Sequence, residues 1–299
     1  MKLNALRDFV AVAERGSLRA AARQLGITQP AISRNIQELE KELGVALFER
    51  RARGVCLTPM GEVFLRRSKA VRNELQRAQD ELDQLRGQLH GQVRVCLSSV
   101  PHMALLPQVL RAFRQRYPDV QLDLIDGLLP GILEELKNGT VDVYVGPTFD
   151  DLPPELAGEP LFDSHRVIVA RRGHPLAGAR SLAELSGAEW VTSSVTFRAE
   201  EELVPLFVER GLPRPRVVVQ AHSAFSFLFL LAHSDLLMVL PSQWTQTPLF
   251  RQALQRIDVA ETLDSPPINI VTRLGMPLTP AADYFCDMVR RAAQHPDMP

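Results

Sequence analysis

SLRAAARQLGITQPAISRNIQELEKE, residues 17–42, is the stretch around which the rest of the chain is read. It predicts two short helices joined by a tight turn. Ser17 can cap the first, its hydroxyl taking an orphan backbone N–H. Leu18, Ala21, Ala22 and Leu25 follow at helical spacing, with small residues where a second helix must come close. Gly26 ends that helix at low steric cost. Thr28 caps the next one, and Pro30 falls in its first turn, where a missing N–H costs nothing. Ile32, Ile36, Leu39 and Leu43 form an inward apolar stripe. Gln29, Ser33, Arg34 and Gln37 face outward near the start of the helix, where a recognition helix presents its base-reading side chains. Taken alone, such a pair also fits two ordinary amphipathic helices of any globular protein.

The flanking residues favour DNA. Residues 3–15 read as a preceding helix. Val45, Leu47 and Phe48 are expected to close a small core, ahead of the basic turn Glu49-Arg50-Arg51-Ala52-Arg53-Gly54 and a short strand, Val55-Cys56-Leu57. Three helices with a basic hairpin make a winged helix-turn-helix. Arg50, Arg51 and Arg53 would lie along phosphates, while Thr28, Gln29, Pro30, Ser33 and Arg34 meet the duplex from the recognition helix.

From Leu6 to about Glu62 the chain resembles, without a gap, the amino-terminal domain of LysR-type transcriptional regulators. The residues that carry the likeness are FVAVAERGSLRAAARQLGITQPAISRNIQELEKELGVALFERRARGVCLTPMGE. Cys56 departs from it, standing where a basic or polar wing residue is usual. The resemblance implies a DNA-binding head, a linker helix and a two-lobed effector domain like a periplasmic solute-binding protein. It also implies a tetramer and a small-molecule inducer bound between the lobes. Within the family the chain looks similar to regulators of aromatic-sulfonate degradation.

Composition is compatible with this. At 299 residues, with 45% hydrophobic residues and a mean hydropathy of −0.04, the chain is long enough for about two domains and reads as soluble. The net charge of −1 is split, the first 90 residues carrying +5 and the remainder −6. A basic front and an acidic back fit a head on DNA and a body that stays off it. Cys56, Cys96 and Cys286 lie far apart with no CxxC, so neither a zinc site nor a disulfide framework is expected. No signal peptide or membrane span is read, which points to the cytoplasm.

Thr58-Pro59 opens a helix running from 60 to about 89. Phe64, Ser68, Val71, Leu75, Ala78, Leu82, Leu85 and Leu89 recur at alternating steps of four and three, a heptad seam suited to a second copy of the same helix. A dimer matches a dyad-symmetric operator. Strands and helices then alternate, an α/β pattern with mostly parallel sheets. Proline clusters at 153–154, 213–215 and 266–267 mark crossing points. The expected domains are 1–58 for the winged head, 59–89 for the linker and 90–299 for the effector-binding body. The body divides into lobe I, about 91–160 and 266–299, and lobe II, about 161–265.

In open α/β sheets ligands bind beyond the carboxyl ends of strands. Four loops answer to that rule: Ser98-Ser99-Val100; Gly146-Pro147-Thr148; Thr192-Ser193-Ser194 with Phe197; and Ala221-His222-Ser223 with Phe225. Each alone is equally explained by helix capping. Together they offer hydroxyls, backbone N–H groups and aromatic faces to a small organic anion, such as an aromatic carboxylate or sulfonate. No GxSxG, HExxH, GxGxxG or P-loop occurs, and no catalytic residue, metal or cofactor is expected. The reading is a regulator of a catabolic or transport operon with RNA polymerase as a further partner. An enzyme with a fused helix-turn-helix, acting on a small organic acid, is the alternative.

Overall fold

The computed structural model describes residues 2–51, 54–148, 152–193 and 199–294. The chain forms two compact units, Met1–Gln88 with Glu134–Val141, and Leu89–Leu133 with Asp142–Pro299.

In the first unit, α1 (Leu3–Arg15), α2 (Leu18–Leu25) and α3 (Gln29–Leu43) pack around Phe9, Val10, Val12, Ala21, Ile32, Ile36 and Leu39. Each helix stops at a glycine in the left-handed region, Gly16, Gly26 and Gly44, where a Cβ would be strained. Ser17 Oγ accepts from Ala20 N at 3.3 Å and Thr28 Oγ1 from Ala31 N at 3.4 Å, so both predicted caps form. Strands β1 (Phe48–Arg51) and β2 (Gly54–Leu57) pair antiparallel as the wing. The wing is tied to the end of α1 by Val55 N donating to Gly16 O at 3.0 Å. A Cβ on Gly54 would lie 2.3 Å from that same oxygen. The inward stripe is shorter than predicted. Leu43 is 37% and Val45 39% exposed, because Glu40 turns in instead and its Oε1 accepts from Leu47 N and Phe48 N.

Helix α4 (Pro59–Leu85) leaves the wing. Thr58 Oγ1 accepts from Gly61 N at 2.9 Å and donates to Ala46 O at 2.8 Å, fixing its start. It ends four residues short of the predicted 89, at a turn through Gly87 with φ +83°. Two seam positions therefore read differently. Leu89 lies beyond the helix and packs in the core of the second unit, and Phe64 packs in the core of the head. Ser68 is buried, whereas Val71, Leu75, Ala78, Leu82 and Leu85 stay exposed along one side. The polar flank holds the helix down. Arg77, buried, donates from Nη2 to Gly139 O, and Asn73 Nδ2 donates to Thr140 Oγ1 at 3.1 Å.

The second unit is one sheet in the order β4-β3-β5-β11-β6-β9-β7-β8, with β10 alongside β6. Strands β3 (His90–Leu97), β4 (Asp119–Asp126) and β5 (Val143–Pro147) are parallel and make lobe I with α5 (Ser99–Ala104), α6 (Leu106–Arg116) and α7 (Leu129–Lys137), the last passing into the first unit at Glu134. The segment between β3 and β4 holds two helices rather than one, broken at Leu105 ahead of α6 with its first-turn proline. The long strand β6 (Leu156–Arg171) then crosses to lobe II. There β7 (Glu189–Ser193), β8 (Arg216–Ala221) and β9 (Leu236–Pro241) lie with α8 (Ala199–Val208), α9 (Ala224–His233), α10 (Pro248–Ala253) and β10 (Leu254–Ile257). Strand β11 (Asp264–Arg273) returns to lobe I, and α11 (Pro280–Gln294) covers it.

Both crossing strands run antiparallel to their neighbours, a departure from the mostly parallel expectation. Their pairing slips between Ser265 and Ile268, where Pro266 and Pro267 supply no N–H. Lobe I has one core, around Val95, Phe113, Val143 and Phe285. Lobe II has two, one on each face of its sheet, around Trp190 with Phe207 and around Val191 with Phe227. No helix among the described residues is long and apolar enough to cross a membrane.

Candidate DNA interface and effector cleft

The head presents one polar face on α3. Thr28, Gln29, Pro30, Arg34 and Gln37 are exposed and Ser33 is half-buried, while Ile32, Ile36 and Leu39 on the opposite side are buried. Helical periodicity produces this separation. The helix is pinned from beneath by Asn35, whose Nδ2 donates to Asp8 Oδ2 at 2.6 Å. Asp8 is fully buried and also accepts from Arg7 Nη2 at 2.9 Å. Arg51 is exposed at the end of β1, and the backbone of Arg50 lies in the same strand. Arg53 falls outside the described residues. Cys56 is half-buried on β2, its thiol 3.8 Å from Glu49 O.

The second unit contains a cleft of about 1060 Å³, open mouth included. One wall comes from lobe I: Ser98, Ser99 and Val100 after β3, and Pro147 at the end of β5. The other comes from lobe II, with Thr192 and Ser193 at the end of β7, Leu203 and Leu206 on α8, Ala224 and Phe227 on α9, and Trp244. Arg166, Pro241, Ser265 and Ile268 on the crossing strands and β9 add to the lining, with Asp126 at the end of β4 and Met238 and Leu240 on β9. Three of the four predicted loops thus contribute to one cavity, and the fourth through its following helix.

Individual residues divide differently. Ser98, Ser99, Val100, Pro147, Thr192 and Ser193 line the cleft, whereas Thr148, Ser223 and Phe225 do not. Thr148 Oγ1 accepts from Asn269 Nδ2 at 2.9 Å. Ser223 caps α9, accepting from Ser226 N at 3.2 Å. Phe225 is 80% exposed and stacks on Phe229. The ring that enters the cleft is Phe227, edge-on to Trp244 at 5.3 Å between centroids. Ser194 and Phe197 fall outside the described residues. Sequence reasoning missed Arg166, Phe227 and Trp244.

The walls are built tightly. Tyr144 donates from its hydroxyl to Pro147 O at 3.0 Å, and burial pushes that phenol well above its ordinary range. A Cβ on Gly146 would lie 2.3 Å from this hydroxyl and 3.0 Å from Ser98 Cβ, so glycine lets the two strands close up there. Ser98 itself is buried, and its Oγ has no hydrogen-bond partner within the protein. A buried hydroxyl left unpaired costs about 1–3 kcal/mol, and a ligand acceptor would recover it. Around it the lining is largely apolar and aromatic. The cleft is thus suited to a small molecule with a polar end and a greasy body. Among the described residues, no group of three or more His, Cys, Asp or Glu could hold a metal ion.

Two family models match. The bacterial regulatory helix-turn-helix protein, lysR family, covers residues 3–62, and the LysR substrate binding domain covers residues 86–294. The regulator TdcA of Escherichia coli is 28% identical over 256 residues, spanning 85% of this chain and 81% of its own. The RuBisCO operon transcriptional regulator of Allochromatium vinosum is 30% identical, spanning 97% and 95%. Among solved structures, CbnR in complex with its target DNA is 26% identical, with a TM-score of 0.71 over 98% of this chain and 100% of that one. OxyR of Pseudomonas aeruginosa, at 21% identity and a TM-score of 0.70 over 97% and 95%, shares the fold. With a helix-turn-helix head and a two-lobed ligand-binding body each matched along its length, the chain belongs to the LysR family of ligand-responsive transcriptional regulators.

Proposed function

We propose that this regulator senses a small organic anion, an aromatic carboxylate or sulfonate, and controls a catabolic or transport operon. The observation that carries the effector class is the buried, unpartnered Ser98 hydroxyl in a cleft lined by Phe227 and Trp244. An acid group would accept from Ser98 and Ser99 on one wall and from Thr192 and Ser193 on the other. An aromatic ring would lie against Phe227 and Trp244. Binding that favours one relation of the lobes shifts the population toward that state by its difference in affinity for the two.

On DNA, Gln29, Ser33 and Arg34 read base edges in the major groove, with Pro30 against a thymine methyl and Thr28 at the backbone. Arg50, Arg51 and Arg53 follow the phosphates. Two copies pair through the exposed side of α4, where Val71, Leu75, Ala78, Leu82 and Leu85 repeat at coiled-coil spacing. The paired heads meet a dyad-symmetric operator, further pairing gives a tetramer, and contact with RNA polymerase follows in the cytoplasm.

Footprinting the full-length protein on its own upstream DNA, with and without benzoate and toluenesulfonate, tests this reading. The expected result is a footprint whose extent or affinity changes with one of the acids. Protection identical under all conditions would remove the effector class. No protection at any salt concentration would remove the DNA assignment.

A further inference from the structure

Among the described residues two charged side chains line the cleft, Arg166 on β6 and Asp126 at the end of β4. Their settings differ. Asp126 is exposed. Arg166 is half-buried, at the point where β6 leaves β11 and begins to pair with β9. Its backbone is held on both sides, opposite Pro241 on one strand and by its N–H donating to Leu263 O at 2.9 Å on the other. Its stem therefore starts from a rigid position. Pro241, Ser265 and Ile268 of the crossing region line the same cavity.

A guanidinium is always charged and carries five N–H donors in a planar fork matched to an oxyanion. Arg166 is engaged within the protein. Five donors let it keep that interaction and still present an edge to a ligand. Met238, Leu240 and Ile268 line the same cavity, an apolar setting in which a bond between a guanidinium and a ligand oxyanion is strong. Ser98 sits in lobe I at the N-cap of α5, just past the end of β3, its buried hydroxyl unpaired. One cavity thus offers two separately mounted points for acidic groups.

We infer that the effector carries two acidic groups on an aromatic body, one taken at Ser98 and the other at Arg166. The inference rests on the proposed reading of this cleft as the effector site. It makes Arg166 the residue that separates diacids from monoacids. A monoacid engages the Ser98 wall alone, and a diacid adds the fork.

Isothermal titration of the full-length protein with benzoate, 1,2- and 1,3-benzenedicarboxylate and 2-aminobenzoate tests this. The wild type should bind one of the diacids at least tenfold more tightly than benzoate. Arg166→Gln should erase that gap, costing the diacid at least tenfold more affinity than it costs benzoate, and Arg166→Lys should restore part of it. Equal wild-type affinities for mono- and diacids would overturn the inference, and this comparison needs no variant. So would an Arg166→Gln protein that loses mono- and diacid binding alike. Preference for the aminobenzoate over both diacids would point to Asp126 accepting from the neutral amino group, and would equally overturn it. If no aromatic acid binds the wild type, the effector reading falls first and this inference with it. If benzoate binds and the diacids gain nothing, only this inference falls.

Discussion

Asn35 Nδ2 donates to Asp8 Oδ2 at 2.6 Å, joining α3, the helix proposed to face DNA, to a carboxylate buried beneath it. Asp8 is fully buried, where an acceptor short of a donor is costly. Removing one partner of a buried charged hydrogen bond costs about 1–3 kcal/mol. Asn35→Ala should destabilise the head by about that much, read as an earlier first transition in urea followed by far-UV circular dichroism. An unchanged transition would show that the bond contributes nothing net.

Arg34 and Arg51 are both exposed, one on α3 and one on the wing, and they should fail differently. Arg34→Ala is expected to weaken the cognate site by about 1–3 kcal/mol and leave scrambled DNA little changed. Arg51→Ala should weaken both duplexes alike and lower the salt dependence by about one ion. Gel shifts at two salt concentrations separate the outcomes; equal losses for both variants on both duplexes would count against the assignment.

Gly61 is where α4 runs hard against the residue before the wing. A Cβ there would lie 2.1 Å from Leu47 O, a backbone atom that Thr58 N also bonds at 3.0 Å. Gly61→Ala should therefore cost about 1–3 kcal/mol through overpacking. Differential scanning calorimetry of the full-length protein checks it, with Gly87→Ala, which meets nothing within 4 Å, as the comparison for a merely conformational cost.

The chain has two tryptophans. Trp190 is fully enclosed in a core of lobe II, and Trp244 lines the cleft. Effector binding should change the emission of the wild type and leave that of Trp244→Phe flat, with affinity reduced only by the lost ring contact. A change that survives the substitution would place the ligand elsewhere.

Burial pushes the Cys286 thiol up to about 12 from an ordinary value of 9.0. The folded protein then keeps a proton that the unfolded chain releases. Stability should fall as pH rises from 9 toward 12, by about 1.4 kcal/mol per unit at most from this group. Tyr144, also raised by burial, adds to the fall at higher pH. Cys286→Ala should flatten the slope in urea titrations across that window; identical slopes would show that the thiol ionises freely in the fold.

How much of this could be read from the chain follows from the kind of signal each part leaves. The head was legible because capping residues, glycines and a 3.6-residue stripe agree at every step: α1 and α3 run over Leu3–Arg15 and Gln29–Leu43. Loops after strands were legible by rule, which located Ser98, Ser99, Pro147, Thr192 and Ser193. The floor was not, since Arg166 and Ser265 stand within strands whose sidedness depends on where the chain crosses between lobes. Helix α9 hid its facing for another reason. Its run FSFLFLLA is apolar on nearly every side, so spacing alone could not tell Phe225, turned outward, from Phe227, turned in.

Because β6 is a single sixteen-residue strand shared by both lobes, the halves of the body are cut from one ribbon. A body of this kind does not swing on a flexible tether. Any reorientation has to be wound into the two crossing strands as torsion, and it concentrates where Pro266 and Pro267 interrupt the pairing. Ser265 and Ile268 flank that break in the pairing and line the cleft, so the cavity lies beside the one interrupted stretch of this strand pair.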